Sequence, residues 1–292
     1  MTTITSFIND IMHLKFNSPL ARQMLRYAYR EGKTYKIYFG PLQGIQLRYT
    51  ESINFHAMLG LWELSSLRLL SKVIQAEAFR GKSGVVWDIG ANIGLYSAWF
   101  SKNLPDFKIH AFEPAPFAKS CFRDLVDLNG LSNVKLHEFV FSDKIGEIEF
   151  FIGAHHHQSS LNEDWAGDGK IKPERLIVPS TTLDTFYLEN RADGGPTLIK
   201  MDIEGGGAFA LKNCEQVIRE TAPYIWIESH DPKEDRAISN LLIQHGYEAF
   251  RLQTMDWVTF KNEIYPNKKG IWGDLLLCPG NKKSEINELI KK

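Results

Sequence analysis

The chain has 292 residues, 43% of them hydrophobic and 24% charged, with a formal net charge of −1. That balance belongs to a folded globular protein with room for one large domain, and it excludes a broad electrostatic pull toward nucleic acid or anionic lipid. Cys121, Cys214 and Cys278 are scattered with no CxxC spacing, which excludes a disulfide framework or a structural zinc site.

The opening stretch, MTTITSFINDIMHLKF, lacks a basic region followed by an apolar one, and no apolar run reaches membrane-spanning length. The expectation is a cytoplasmic protein. Residues 4 to about 31 read as a helix with Ile8, Ile11, Met12, Leu20, Met24, Leu25 and Tyr29 on its apolar side. KIYF and IQLRYT flank the turn residues GPLQG and read as a hairpin. FHAMLGLWELSSLRLLSKVIQAEAF then has helical periodicity, broken by RGKSG at 80–84.

From Val85 the pattern becomes strand–helix alternation. Expected strands are VVWDI (85–89), KIHAFE (108–113), VKLHEF (134–139), TLIKMDI (197–203) and YIWIES (224–229). Helices follow the first, second, fourth and fifth of these, the pattern of a mostly parallel sheet covered on both faces. YEAFRL (247–252) and WGDLLLC (272–278) are set to close one edge as an antiparallel hairpin. GAHHHQSSLNEDWAGDGKIKPER (153–175) reads as a long loop, and NKKSEINELIKK as a charged, solvated tail. The expected organisation is an N-terminal extension over 1–82 for substrate or oligomer contacts, an α/β domain over 83–280, and the tail over 281–292.

VVWDIGANIGLYSAWF is a strand ending near Asp88, a glycine turn at 90–94, and a helix. Such a turn lets backbone approach a ligand closely and aims helix N–H groups at it. Glu113 ends the next strand, about 20 residues on, where an acid can hold both hydroxyls of a ribose. The dinucleotide pattern GxGxxG fails, because Asn92 and Leu95 fall where its later glycines belong, and no GK[ST] follows the turn. Asp88 disfavours a pyrophosphate. A cationic, ribose-bearing ligand without phosphate fits instead, and S-adenosylmethionine is one. A nucleotide-dependent oxidoreductase and a non-catalytic binding module are the competing classes.

DIGANIG, AFEPAP, SDKIGEIEF, SSL, TTLDTF, IKMDIEG and IWIESH occur in this order. The series resembles the FkbM family of S-adenosylmethionine-dependent methyltransferases over about residues 83 to 279. The resemblance implies a Rossmann-like class I methyltransferase fold, seven-stranded and mostly parallel with an antiparallel edge hairpin. The implied chemistry is O-methylation of a sugar, glycan or natural-product hydroxyl. By the family's pattern Asp88, Gly90, Asn92 and Gly94 line the methionine part of the cofactor, with Ala91 beside them. Glu113 binds the ribose, with Pro114 next to it. Asp143, after Ser142, reads the adenine amino group, and Tyr96 and Ser97 contact the cofactor from the helix start. Ser160, in SSL, and Trp165 are substrate-loop candidates.

Lys200, Asp202 and Glu204 alternate on one face of their segment, as do Glu228 and His230. Asp202 is assigned to the methionine amino group. The base is sought among Glu204, His230 and Glu228, and His230 has the most suitable intrinsic pKa. Lys200, on a central strand, must pair with a carboxylate or orient the substrate. Asp202, Glu204, Glu228 and His230 also form a divalent-metal set, which the resemblance does not require. Adjacent histidines 155–157 point different ways on an extended chain and are not expected to chelate together. The family continues EG as EGxE, whereas this chain has Gly205, Gly206 and Gly207, so its backbone there is expected to be mobile or closely approached. The acceptor is a small molecule or carbohydrate, and a homodimer is left open.

Overall fold

A computed structural model describes residues 27–50, 55–153, 159–167, 172–259 and 273–291. Most of the helix expected over 4–31 and the triple histidine lie outside the described residues. In chain order the elements are β1 (Thr34–Lys36), β2 (Gln46–Arg48), α1 (Phe55–Met58), α2 (Leu64–Val73), β3 (Gly84–Ile89) and α3 (Leu95–Asn103). Next come β4 (Phe107–Phe112), α4 (Pro116–Asn129), β5 (Val134–His137), β6 (Val140–Phe141), β7 (Gly146–Ile152), α5 (Glu163–Ala166) and β8 (Glu174–Thr181). The rest are α6 (Leu183–Glu189), β9 (Pro196–Met201), α7 (Gly207–Ala210), α8 (Glu215–Thr221), β10 (Tyr224–Ser229) and α9 (Pro232–His245), then β11 (Tyr247–Arg251), β12 (Asp256–Trp257), β13 (Gly273–Pro279) and α10 (Lys283–Lys291).

The main sheet has the order β12-β11-β13-β10-β9-β3-β4-β5. The five strands from β10 to β5 are parallel to one another, and β13 enters antiparallel between β10 and β11. Without the two-residue edge strand β12, this is the expected seven-stranded sheet with its antiparallel hairpin. The order reverses beside β3, so the crevice for a ligand opens at the carboxyl ends of β3, β4 and β9.

Central strands read as apolar runs because both faces are covered. On one side Val86, Leu198 and Trp226 pack with Trp99 and Phe100 of α3 and Leu67 and Leu70 of α2. On the other, Trp87, Ile199 and Ile225 pack with Phe186 of α6, Val217 of α8 and Leu242 of α9. Ile37 and Leu47 of the N-terminal hairpin region belong to the first of these clusters.

Four sequence expectations change. The helix over 55–79 is broken: Gly60 adopts φ +70°, and a Cβ there would meet the Phe39 carbonyl at 1.8 Å. The chain re-enters a helix at Leu64 after Glu63 in the left-handed region. The strand expected over 134–139 stops at His137, and Glu138 turns out to Lys119 and Arg123. Besides the two-stranded β1-β2 sheet, residues 140–181 contribute a three-stranded sheet, β6-β8-β7, where the sequence pattern shows no separate layer. The 153–175 loop is correspondingly shorter, and Ser160 is bridged to Phe151 of β7. Finally, the tail is not simply solvated. Helix α10 buries Ile286 and Leu289 in the core and lies against α2, where Lys72 Nζ donates to the Ile290 carbonyl at 2.8 Å.

Candidate active site

The glycine turn after β3 is built by close packing. Gly90 has φ +75°, and a Cβ there would lie 1.9 Å from the Asp202 carbonyl oxygen. Its N–H and that of Ala91 donate to the Phe112 carbonyl, while Asp202 N–H donates to the Ile89 carbonyl. The ends of β3, β4 and β9 are thereby stitched together. Asn92 is left-handed at φ 50°, and Gly94 at φ 92° lies against Phe122.

Asp88 is fully buried. Its Oδ2 accepts from Ser97 Oγ at 2.6 Å, and its Oδ1 makes no hydrogen bond. Lys200 supplies the charge, 3.6 Å from both Asp88 Oδ1 and Asp202 Oδ2. Its Nζ also donates to the Gly90 carbonyl at 3.2 Å and lies over the Tyr96 ring. Burial pulls the ammonium down, but Asp202, Asp88 and Glu228 together outweigh it and hold Lys200 above its usual range. Lys200 is thus paired, as its burial demands.

Glu113 lines a cleft with Gly90, Asn92, Pro114, Asp202 and Glu204. Its two oxygens accept from Asn92 N–H at 2.9 Å and Ala115 N–H at 2.8 Å. Each oxygen keeps a lone pair for a ligand. Burial raises this carboxyl to about 7, against the lowering pull of the two backbone bonds. Ile89, Phe112, Phe139, Phe141, Phe150 and Ile203 give the cleft apolar walls. This aromatic wall was not singled out from the sequence, because it draws on two sheets.

Ser142 and Asp143 do not line this cleft. Ser142 is buried and shares a hydrogen bond with Ser180 of β8. Asp143 pairs with Lys212 at 2.7 Å, which holds its carboxyl below the usual range. Tyr96 faces Lys200 and Trp62, and Ser97 serves Asp88. Ser160 does line the cleft, and its Oγ donates to the Glu204 carbonyl.

Beyond Asp202 the cleft runs into a charged cluster. His230 Nε2 lies 3.6 Å from Asp202, 3.5 Å from Glu204 and 3.9 Å from Glu228. The other ring nitrogen, Nδ1, lies 3.3 Å from Glu234. Burial would lower the imidazole, but the Glu234 bond and the Asp202, Glu204 and Glu228 charges push it up to about 10. The surrounding carboxylates thus favour the imidazolium form of His230, and its intrinsic pKa is a poor guide to its role. Burial raises Glu204 despite the opposing His230 charge. Glu228 is raised by burial, and then by Asp202 and Asp274. Asp274 stands opposite Glu228 across the β10–β13 pair and accepts from Ser66 Oγ and Trp226 Nε1. Asp202, Glu228 and His230 can turn ligand atoms within 4.8 Å of one another, with Glu204 outside that trio.

The triglycine is closely approached on both sides. Gly205 is left-handed at φ +67°, and a Cβ would lie 2.7 Å from the Trp165 ring. Trp165 also meets the His230 ring edge-on, with centroids 5.8 Å apart. At Gly207 a Cβ would lie 2.9 Å from Glu234 Oε1. Glu234 was missed because DPKE reads as a helix start, with Asp231 capping and the glutamate merely third in the helix.

The strand order, the glycine turn and the acid ending β4 define a class I S-adenosylmethionine-dependent methyltransferase. Residues 88–249 match the family model described as the methyltransferase FkbM domain, and the chain belongs to that family. Among curated proteins it is 27% identical over 190 residues to Methyltransferase sdnD of Sordaria araneosa, spanning 56% of this chain and 73% of that one. It is 23% identical over 210 residues to Methyltransferase 1 of Beauveria bassiana (strain ARSEF 2860), spanning 67% and 84%. Among solved structures, methyltransferase FkbM from Methylobacillus flagellatus KT aligns at 16% identity and TM-score 0.39, over 77% of this chain and 55% of that one. The ribosomal protein L11 methylase from Lactobacillus delbrueckii subsp. bulgaricus aligns at 13% identity and TM-score 0.45, over 84% and 90%.

Proposed function

We propose that this methyltransferase transfers its methyl group to a hydroxyl of a small molecule, with a sugar or natural-product scaffold as the acceptor class. The observation that carries the reading is the junction of two environments. Asp202 and Glu204 line the cofactor cleft and also stand within 4 Å of His230. A hydroxyl held there has a proton acceptor beside the methyl donor.

The residues fit the cofactor. Gly90 leaves no room for a side chain, Glu113 offers lone pairs to a ribose, and the phenylalanine walls suit a flat base. When bound, S-adenosylmethionine supplies an electrophilic methyl group on a sulfonium. The buried Asp88 and the half-exposed Asp202 offer negative charge to the cationic methionine end. Lys200 holds both carboxylates in place. Glu204 takes the acceptor's proton, and the imidazolium of His230 at 3.5 Å steadies the charge on Glu204 before that transfer. Glu228, raised by burial and then by Asp202 and Asp274, stands 3.9 Å from His230 Nε2 as a further polar contact for the acceptor. Trp165 closes the outer side over Gly205.

The test is transfer of labelled methyl from S-adenosylmethionine to a panel of nucleotide sugars, glycans and hydroxylated small molecules, with and without chelator. Label on an acceptor oxygen, insensitive to chelator and reduced about 10²–10⁴-fold in Glu204→Gln, is the expected result. Label on nitrogen or carbon, or none across the panel, would defeat the reading. The grouping of Asp202, Glu228 and His230 favours a second version, in which a divalent cation replaces the His230 proton. Loss of activity with chelator and recovery with Mg²⁺ or Mn²⁺ would select it.

A further inference from the structure

We propose that Glu234 is a positioning residue of the methyl-transfer site, a single buried carboxylate that locks the Glu204–Gly207 turn to His230. Glu234 is 1% exposed. Its Oε1 accepts from Gly207 N–H at 2.8 Å, and its Oε2 accepts from His230 N–H at 2.6 Å. The same Oε2 faces the His230 ring at Nδ1. A carboxylate can only accept, so the ring must carry its hydrogen on Nδ1 there. That orientation turns Nε2 toward Asp202, Glu204 and Glu228.

The side chain does not serve its own helix. Asp231 Oδ1 already accepts from the N–H groups of Lys233 and Glu234 at the start of α9. Glu234 instead reaches past that cap to two other segments, the ends of β9 and β10. A buried charge is costly unless its lone pairs are used, and here both oxygens are engaged.

Gly207 is the counterpart of this arrangement. Its φ is not left-handed, so its backbone would tolerate a side chain. The obstacle is Glu234 Oε1, 2.9 Å from where a Cβ would stand. A side chain at 207 and the Glu234 carboxylate therefore compete for one space. The chain departs from the EGxE pattern at this same position, and the acid missing there arrives from α9.

The inference rests on His230 and Glu204 facing the acceptor, but its test needs no acceptor. Four variants are compared with the wild type: Glu234→Ala, Glu234→Gln, Gly207→Glu, and Gly207→Glu combined with Glu234→Ala. The measurements are affinity for S-adenosylhomocysteine by calorimetry, melting temperature, and the ¹⁵N resonances of the His230 ring. Glu234→Ala and Gly207→Glu should each weaken binding about tenfold, through the cofactor-lining turn. The double variant should recover to within about threefold of wild type, a large favourable coupling between the two sites. Glu234→Gln should shift the Nδ1 resonance, because an amide has one accepting oxygen and cannot serve Gly207 N–H and the His230 groups together, and because it removes the charge facing the ring. A double variant no better than the worse single one, or His230 resonances unmoved in Glu234→Gln, would overturn the proposal. Should Glu234→Ala fail to fold, recovery of folding in the double variant supports it and failure of both counts against it. Loss of the hydroxyl-acceptor reading would leave these outcomes unchanged.

Discussion

At the scale of single residues, the site is governed by burial acting on acids. Glu113, which we propose as the ribose contact, is also a structural anchor. Two backbone N–H groups fix its orientation, and burial lifts its pKa to about 7, above the ordinary carboxylate value of 4.5. Its folded pKa is raised, so its contribution to stability is complete below 4.5 and fades as pH rises through about 7. With Glu113 as the proposed ribose contact, cofactor binding has the opposite preference, because an ionised carboxylate accepts from hydroxyls. The melting-temperature gain produced by S-adenosylhomocysteine should therefore be larger at pH 8 than at pH 6. Glu113→Gln should flatten that pH dependence and weaken binding about ten- to hundredfold, measured by calorimetry. An unchanged affinity would show that the ribose lies elsewhere. The place of Glu113 in the cleft was legible from sequence because it depends on one strand end and one preceding turn. Asp143, expected at the adenine, is paired with Lys212, 69 residues on, which its position after a short strand could not show.

At the scale of elements, the clearest lessons come from α10 and the β6-β8-β7 sheet. KSEINELIK looks like a charged tail when its charges are counted. Its apolar residues nonetheless sit at helical spacing: Ile286, Leu289 and Ile290 fall on one stripe. Tyr224 OH and the Glu77 N–H both bond Glu285, and Trp257 Nε1 bonds Asn287, so the helix is docked along its length. Ile286 is fully buried, and Ile286→Ala should cost about 2–5 kcal/mol by chemical denaturation. A loss under about 1 kcal/mol would mean that α10 is only loosely held. The small sheet was hidden for a different reason. Strand β8 carries Pro179, which argues against a strand when read locally. Many positions of β7 and β8 are exposed, so neither shows a firm apolar alternation.

At the scale of the whole molecule, the parallel sheet gathers charge at one end. Strands β3, β9 and β10 all deliver acids to their carboxyl ends, β13 adds Asp274, and among the described residues Lys200 and His230 are the cations that answer them in the cluster. His230 therefore carries much of the balance. Its pKa is raised from 6.5 to about 10, so its stabilising effect is complete below 6.5 and is lost as pH rises through about 10. The ligand-free protein should melt at progressively lower temperature between pH 7 and pH 10. His230→Gln should be less stable near neutrality and show a shallower decline. A wild-type melting temperature that is flat over this range would mean that the ring is neutral in the folded protein.

What the sequence determined by itself was everything carried by short-range pattern. Apolar runs marked the strands, glycines and the first acid marked a candidate cofactor turn, and the ordered series of short stretches marked the family. These signals survive in one dimension because strand, turn and helix form among neighbours in the chain. The tertiary structure alone decided which charges meet. It brought Asp274 opposite Glu228, turned Asp143 away to Lys212, and set Glu234 of one helix against Gly207 at the start of another. Those meetings follow from strand order and side-chain direction, and their energies depend on burial. Burial is a property of the folded body, so no spacing along the chain could have shown that carboxylates would crowd His230 or that Glu234 would fill the space beside Gly207.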